Sequence, residues 1–248
     1  KGEPLMDRAM LTRPILLRAL GEIVGTLGFV SAIVLTPISS ASAILQATPL
    51  VVTLGAALFL QEAVGWRRWS AIIIGFFGVL LIIRPGMASF QPASLFVLIS
   101  VVAIAARDLS TRRIATHVSS TVVSFYGFAA SAIAGPFLLY STATPLPMSA
   151  SHIGGMIGAL IFGISGYYAI VAAMRMGDAS AITPFRYTRL IFSLILGIAI
   201  FNERPDMLTY VGAAIIIVTG FYTYMRERAL ARTLASEDAK IATPISAR

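Results

Sequence analysis

Long apolar runs, each near the length needed to cross a bilayer, alternate along this chain with short polar breaks. A spanning helix needs about 20 mostly apolar residues, because only a helix satisfies its own backbone groups in hydrocarbon. Eight segments meet or approach that length, at approximately 15–36, 40–61, 67–84, 93–111, 118–140, 153–174, 179–201 and 206–225. The breaks are turn-forming sequences such as Thr36-Pro37-Ile38-Ser39-Ser40, Arg84-Pro85-Gly86, Thr144-Pro145-Leu146-Pro147 and Glu203-Arg204-Pro205-Asp206. No segment carries the polar stripe that a water-facing helix requires. The pattern therefore predicts an all-α, polytopic transmembrane helix bundle of about eight spans.

Composition agrees, with 57% of the 248 residues hydrophobic and 12% charged. The net charge of +8 does not point to nucleic acid, because the basic residues sit in short clusters between apolar runs. They report orientation instead. Arg13, Arg18, Arg67, Arg68, Arg107, Arg112, Arg113, Arg175 and the run Arg226 to Arg232 fall on one side, and only Arg84 and Arg204 on the other. The positive-inside rule makes the first side cytoplasmic, and an even number of spans puts both ends of the chain there. The absence of cysteine excludes disulfides and thiolate chemistry. His117 and His152 lie apart near span ends, so neither a metal nor a cofactor is expected.

Two stretches echo each other. Ala41-Ser42-Ala43-Ile44 leads through Pro49 to Phe59-Leu60-Gln61-Glu62 and a glycine-containing span. Ala179-Ser180-Ala181-Ile182 leads through Pro184 to Ile200-Phe201-Asn202-Glu203 and another. On the charge assignment their opening loops face opposite sides, so the repeats are inverted, as in many secondary transporters. The expected units are an N-terminal repeat of three spans at 1–88, a C-terminal repeat of five at 89–228 and a disordered cytoplasmic tail at 229–248.

These motifs resemble the drug/metabolite transporter superfamily, specifically its EamA-type members. Thr48-Pro49-Leu50, Glu62, Arg67-Arg68-Trp69 and Gly75-Phe76-Phe77-Gly78-Val79 carry the likeness in the first half. Met176-Gly177-Asp178-Ala179-Ser180 and Phe201-Asn202-Glu203-Arg204-Pro205 carry it in the second. The resemblance implies ten helices in two inverted halves, and hence two helices beyond the three in this first half. It also implies transport of a small metabolite across a bacterial inner membrane, and through members with similar second-half motifs it points toward S-adenosylmethionine.

Arg186 and Arg189 lie three apart on one face of the seventh segment, with Arg189 close to mid-membrane. A cation at that depth must face protein or a water-filled cavity. The alternatives are attraction of an anionic or zwitterionic substrate, snorkelling for Arg186 and a structural pair for Arg189. Pro49 and Pro184 free the carbonyls of Leu45 and Ser180, which reads either as a substrate cavity or as a packing kink. Tyr187 and Tyr126 offer cation–π or polar contacts beside ordinary packing. Glu22 reads as a partner of Arg18 or Arg189, with proton coupling the other reading. Arg107, Asp108 and Arg112 form a cytoplasmic gate or a topological anchor in contact with lipid headgroups. Glu62 and Glu203, ending equivalent helices, read as structural. Glycines 21, 25 and 28, with 154, 155, 158, 163 and 166, predict close helix approach.

The expected function is secondary transport of a small molecule, with membrane lipids as surroundings and a homodimer as one open assembly. The alternatives are a non-transporting or partner-dependent membrane subunit and, further off, a membrane-embedded enzyme. The enzyme reading would need clustered acids or histidines at one interface. No GxxxxGK[ST] loop is present, so ATP hydrolysis is not expected of this chain.

Overall fold

The computed structural model describes residues 12–61, 65–111, 113–114, 118, 120–142, 149–176 and 188–242. Helices make up almost all of them. In chain order they are α1 (Arg13–Leu35), α2 (Ile38–Leu45), α3 (Thr48–Phe59), α4 (Trp66–Ile83), α5 (Ser94–Thr111), α6 (Ser120–Thr142), α7 (Ala150–Met176), α8 (Thr188–Ala199) and α9 (Met207–Ala242). Six apolar helical stretches among the described residues are long enough to span a membrane, and two shorter ones lie at His152–Tyr167 and Thr188–Ala199. Seven of the eight predicted segments coincide with helices here, while the seventh, 179–201, is described only from residue 188.

The second segment is a broken helix. α2 ends at Leu45, Gln46 and Ala47 form a turn, and α3 starts at Thr48. Pro49 sits in the first turn of α3, where the missing N–H costs nothing. The Leu45 carbonyl that the proline leaves without a backbone donor accepts a 2.6 Å hydrogen bond from the Thr48 hydroxyl. Small side chains let neighbours close on α2 from all sides. Ala41, Ala43, Ile44 and Leu45 are all but inaccessible and pack with Ala32 of α1, Val79 of α4, Val97 of α5, Leu190 of α8 and Ile216 of α9.

Backbone contact between helices depends on glycine. At the α4–α9 crossing a Cβ on Gly78 would stand 2.8 Å from the Gly212 carbonyl oxygen, and one on Gly212 would stand 2.6 Å from that of Gly78. Along α1, a Cβ on Gly28 would meet the Phe96 carbonyl of α5 at 2.8 Å, and Ser100 donates to the Gly25 carbonyl at 2.8 Å. The glycines of α7 behave differently. A Cβ on Gly154, Gly155, Gly158, Gly163 or Gly166 would meet nothing within 4 Å among the described residues. The spacing predicts helix contact at both stripes, and only the α1 stripe makes it here.

Large apolar side chains face outward, including Ile73, Phe76 and Phe77 of α4 and Phe162 of α7. That inside-out distribution suits a lipid solvent, in which outward apolar surface carries no penalty. α9 continues as helix to Ala242, through the stretch read as a disordered tail from 229. Residues 229–242 are rich in Ala, Leu, Arg, Glu and Lys, all good helix formers.

Replacing Gly28 with alanine should cost about 1–3 kcal/mol, because the opposing atom is backbone and cannot yield. Gly154→Ala should be neutral. Thermal unfolding of both variants in detergent checks the contrast.

Candidate functional site

Three polar assemblies join helices far apart in sequence; the first is buried, while Arg189 of the second and Asp206 of the third are exposed. The first gathers charges from α1 and α5 and a tyrosine from α7. Arg18, 6% exposed, extends Nη1 to Glu22 Oε2 at 3.4 Å and donates from Nη2 to the Tyr167 hydroxyl at 2.7 Å. Arg107 reaches Glu22 at 3.2 and 3.3 Å and also donates from Nε and Nη2 to Asp108 Oδ1 at 3.0 and 2.8 Å. Two guanidiniums thus face two carboxylates, which offsets the cost of removing charge from water. Gly127 of α6 leaves room for the cluster, since a Cβ there would stand 2.6 Å from the Tyr167 oxygen. Tyr167 in turn packs on Phe128, their ring centroids 4.6 Å apart. Arg18 Nε and, on α6, Ser124 Oγ are buried without a hydrogen-bond partner among the described residues.

The second assembly lies at the break between α2 and α3. Arg189 of α8 donates to Gln46 Oε1 at 3.0 Å, and Gln46 is buried in the turn that interrupts the helix. A broken helix exposes backbone polar groups within a bundle, where side chains or a solute can meet them.

The third assembly knits the opposite end of the bundle from the Arg18 cluster. The Glu203 carboxylate accepts from the backbone N–H groups of Ile38 at 2.5 Å and Ser39 at 3.0 Å, capping α2 from the far half of the chain. Arg84, at the end of α4, forms an ion pair with Asp206, which also caps α9 by accepting from the Thr209 N–H at 3.0 Å and hydroxyl at 2.6 Å. These bonds, that of Arg84 first, hold the Asp206 carboxyl down at about 2. A cavity of about 280 Å³ opens beside them, lined by Ser39, Ser40, Arg84, Ser94, Glu203 and Arg204 among others.

Against the residues singled out from sequence, Glu22 pairs with Arg18 and Arg107, while Arg189 turns to Gln46. Arg107 and Asp108 bond to each other. Tyr126 packs in an apolar cluster with Ile15, Val118 and Val122. Arg186, Tyr187, Pro184, Arg112 and Glu62 lie outside the described residues. Sequence reasoning did not select Tyr167 or Gln46. Neither has a local signal: each matters through a partner more than 140 positions away.

Among the described residues, apolar helices long enough to cross a bilayer, with a buried charge cluster between them, define a polytopic integral membrane protein. The sequence profile of the EamA-like transporter family matches residues 2–84 and 91–225, and the chain belongs to that family. It is 29% identical over 223 residues to an S-adenosylmethionine uptake transporter of Rickettsia bellii, covering 88% of this chain and 75% of the relative. It is 30% identical over 185 residues to a riboflavin transporter of Vibrio cholerae, covering 74% and 61% respectively. A solved crystal structure superposes with a TM-score of 0.51 at 18% identity over 89% of this chain and 90% of the other, a likeness of fold. The protein is a multi-pass secondary transporter of the bacterial inner membrane, not an enzyme.

Glu22→Gln should destabilise by about 3–5 kcal/mol, since it leaves buried guanidiniums short of a counter-charge. Tyr167→Phe should cost about 1.5–3 kcal/mol for one hydrogen bond from a charged donor. Denaturation in mild detergent ranks the two.

Asp206 titrates below its ordinary 3.8 in the folded protein, so its contribution is complete above that value and fades as pH falls toward about 2. Its side chain is 49% exposed, which limits the effect to under about 1 kcal/mol. The stability gap between the wild type and Asp206→Asn should close on acidification from pH 5 to pH 2.

Proposed function

We propose that this chain carries a small anionic or zwitterionic metabolite by alternating access, and that S-adenosylmethionine is the first candidate. The observation that carries the reading is Arg189 at the broken helix, bonded to Gln46. A guanidinium beside an interrupted helix is a recognition element for a carboxylate: the cation binds the anion, and the neighbouring amide orients it. The methionyl end of S-adenosylmethionine supplies a carboxylate and an ammonium. The Rickettsia bellii relative named for its uptake supports trying that compound before others.

Alternating access rests on two inverted units. Supporting them, Gln61 after α3 and Asn202 after α8 both adopt left-handed backbone, at φ 54° and 53°, and each is followed by glutamate. In this topology both ends of the chain are cytoplasmic, the Arg18 cluster lies toward the cytoplasm and the Glu203 assembly faces outward. The two ends then act as inner and outer closures around the Arg189 site. The Arg18 cluster, bridging α1, α5 and α7, is the inner one.

A second reading, a carrier that works as part of a larger helix assembly, is favoured by α7. A shift of 138 positions relates Gly25 and Gly28 to Gly163 and Gly166, as it relates Ala41 to Ala179. The first pair packs on α5, whereas the second meets nothing among the described residues. Native electrophoresis of the protein extracted from its own membrane would separate the readings by size.

Sealed vesicles containing the purified chain should accumulate labelled S-adenosylmethionine saturably, and Arg189→Ala should abolish the accumulation without preventing insertion. Normal uptake by that variant would remove Arg189 from the binding site.

A further inference from the structure

We infer that the cavity beside α2 is a reception site for carboxylate-bearing solutes, and that the Glu203 carboxylate is a tethered occupant which an incoming solute displaces. The inference rests on the outward orientation proposed above. α2 is buried, and its first two N–H groups converge on one carboxylate, the arrangement by which a helix N-terminus binds an anion. That carboxylate arrives from the other half of the chain, so it is at once a ligand of α2 and a strap between halves. Gly197 is shaped to admit it, because a Cβ there would stand 2.6 Å from Glu203 Oε2.

The surroundings offer more than Glu203 uses. Ser39 lines the cavity, and its hydroxyl is fully buried with no hydrogen-bond partner among the described residues. Ser40, Ser94 and Arg204 line the same space, and none of the ion pairs among the described residues involves Arg204. Arg84 is already committed to Asp206. A free carboxylate entering at the α2 terminus would therefore gain the Ser39 hydroxyl and the Arg204 charge, neither of which bonds to Glu203. Those extra contacts are needed, because a tethered carboxylate competes at high effective concentration. About 280 Å³ admits a solute of amino-acid size. Displacing Glu203 releases the strap, so that arrival of the solute is coupled to opening of the outer end.

Acetate is the minimal probe and acetamide its uncharged counterpart of equal size. Glu203→Ala leaves the α2 terminus empty. Acetate should then raise the melting temperature of that variant by a few degrees, while acetamide and chloride should not, and wild type should gain nothing. Should Glu203→Ala fail to fold, Glu203→Gln keeps the shape and should show the same acetate preference more weakly. A second arm needs no change at Glu203. Ser40→Cys places one thiol on the same cavity wall in a cysteine-free chain and keeps the Ser39 hydroxyl. Acetate should speed its labelling by an external, membrane-impermeant thiol reagent several-fold, and acetamide should not. Equal behaviour of acetate and acetamide in both arms overturns the proposal. If acetate fails while vesicle uptake succeeds, the reception site is wrong and the transport reading stands. If acetate stabilises the variant while vesicle uptake fails, the reception site stands and the transport reading is wrong.

Discussion

Hydrocarbon offers no hydrogen-bond partner, and from that single constraint the structure follows. Every backbone group must be satisfied inside the chain, which selects helices. Every buried charge must find its counter-charge on a neighbouring helix, which selects the way those helices pack. Arg18 and Arg107 could not remain in the bundle without Glu22 and Asp108, and their pairing fixes α1 against α5 at a definite depth. Close approach is the other requirement, because lipid supplies little drive for apolar helices to associate. Gly28 against Phe96, and Gly78 against Gly212, give that approach by bringing backbone onto backbone.

The same constraint explains why α2 and α3 are informative. An interruption in mid-bundle exposes peptide groups where they are most costly, so each must be answered. At the break the Thr48 hydroxyl answers Leu45 and Arg189 meets Gln46, while at the other end of α2 Glu203 answers Ile38 and Ser39. Three separate polar solutions converge on one short segment, in a protein whose remaining interior is largely alanine, valine and isoleucine. A buried and polar-supported broken helix is suited to moving cargo, since its groups can exchange one partner for another without unfolding the surrounding helices.

The polar assemblies at the two ends of the bundle differ in kind. The Arg18 cluster is a buried network of full charges with a tyrosine from α7 attached to it. The Glu203 assembly is partly solvated, and it combines a helix cap with an ion pair between the ends of α4 and α9. Water weakens the second more than the first, so the contacts at the Glu203 end are the easier to separate.

Helices, their approximate ends, the membrane class and the family likeness were all legible from sequence, because hydrophobic length and turn chemistry are local properties. The Arg18–Glu22 pair was legible for the same reason, being four residues apart on one helix. What tertiary structure alone decided was partnership at a distance. Glu22 also takes Arg107, Arg189 takes Gln46, and Glu203, read as structural, caps a helix 164 positions earlier. It also decided which glycines bear contact, since those of α1 and α7 look alike as text and differ only in what lies opposite. Spacing along a chain determines which face a residue occupies, and only the packed bundle determines what that face meets.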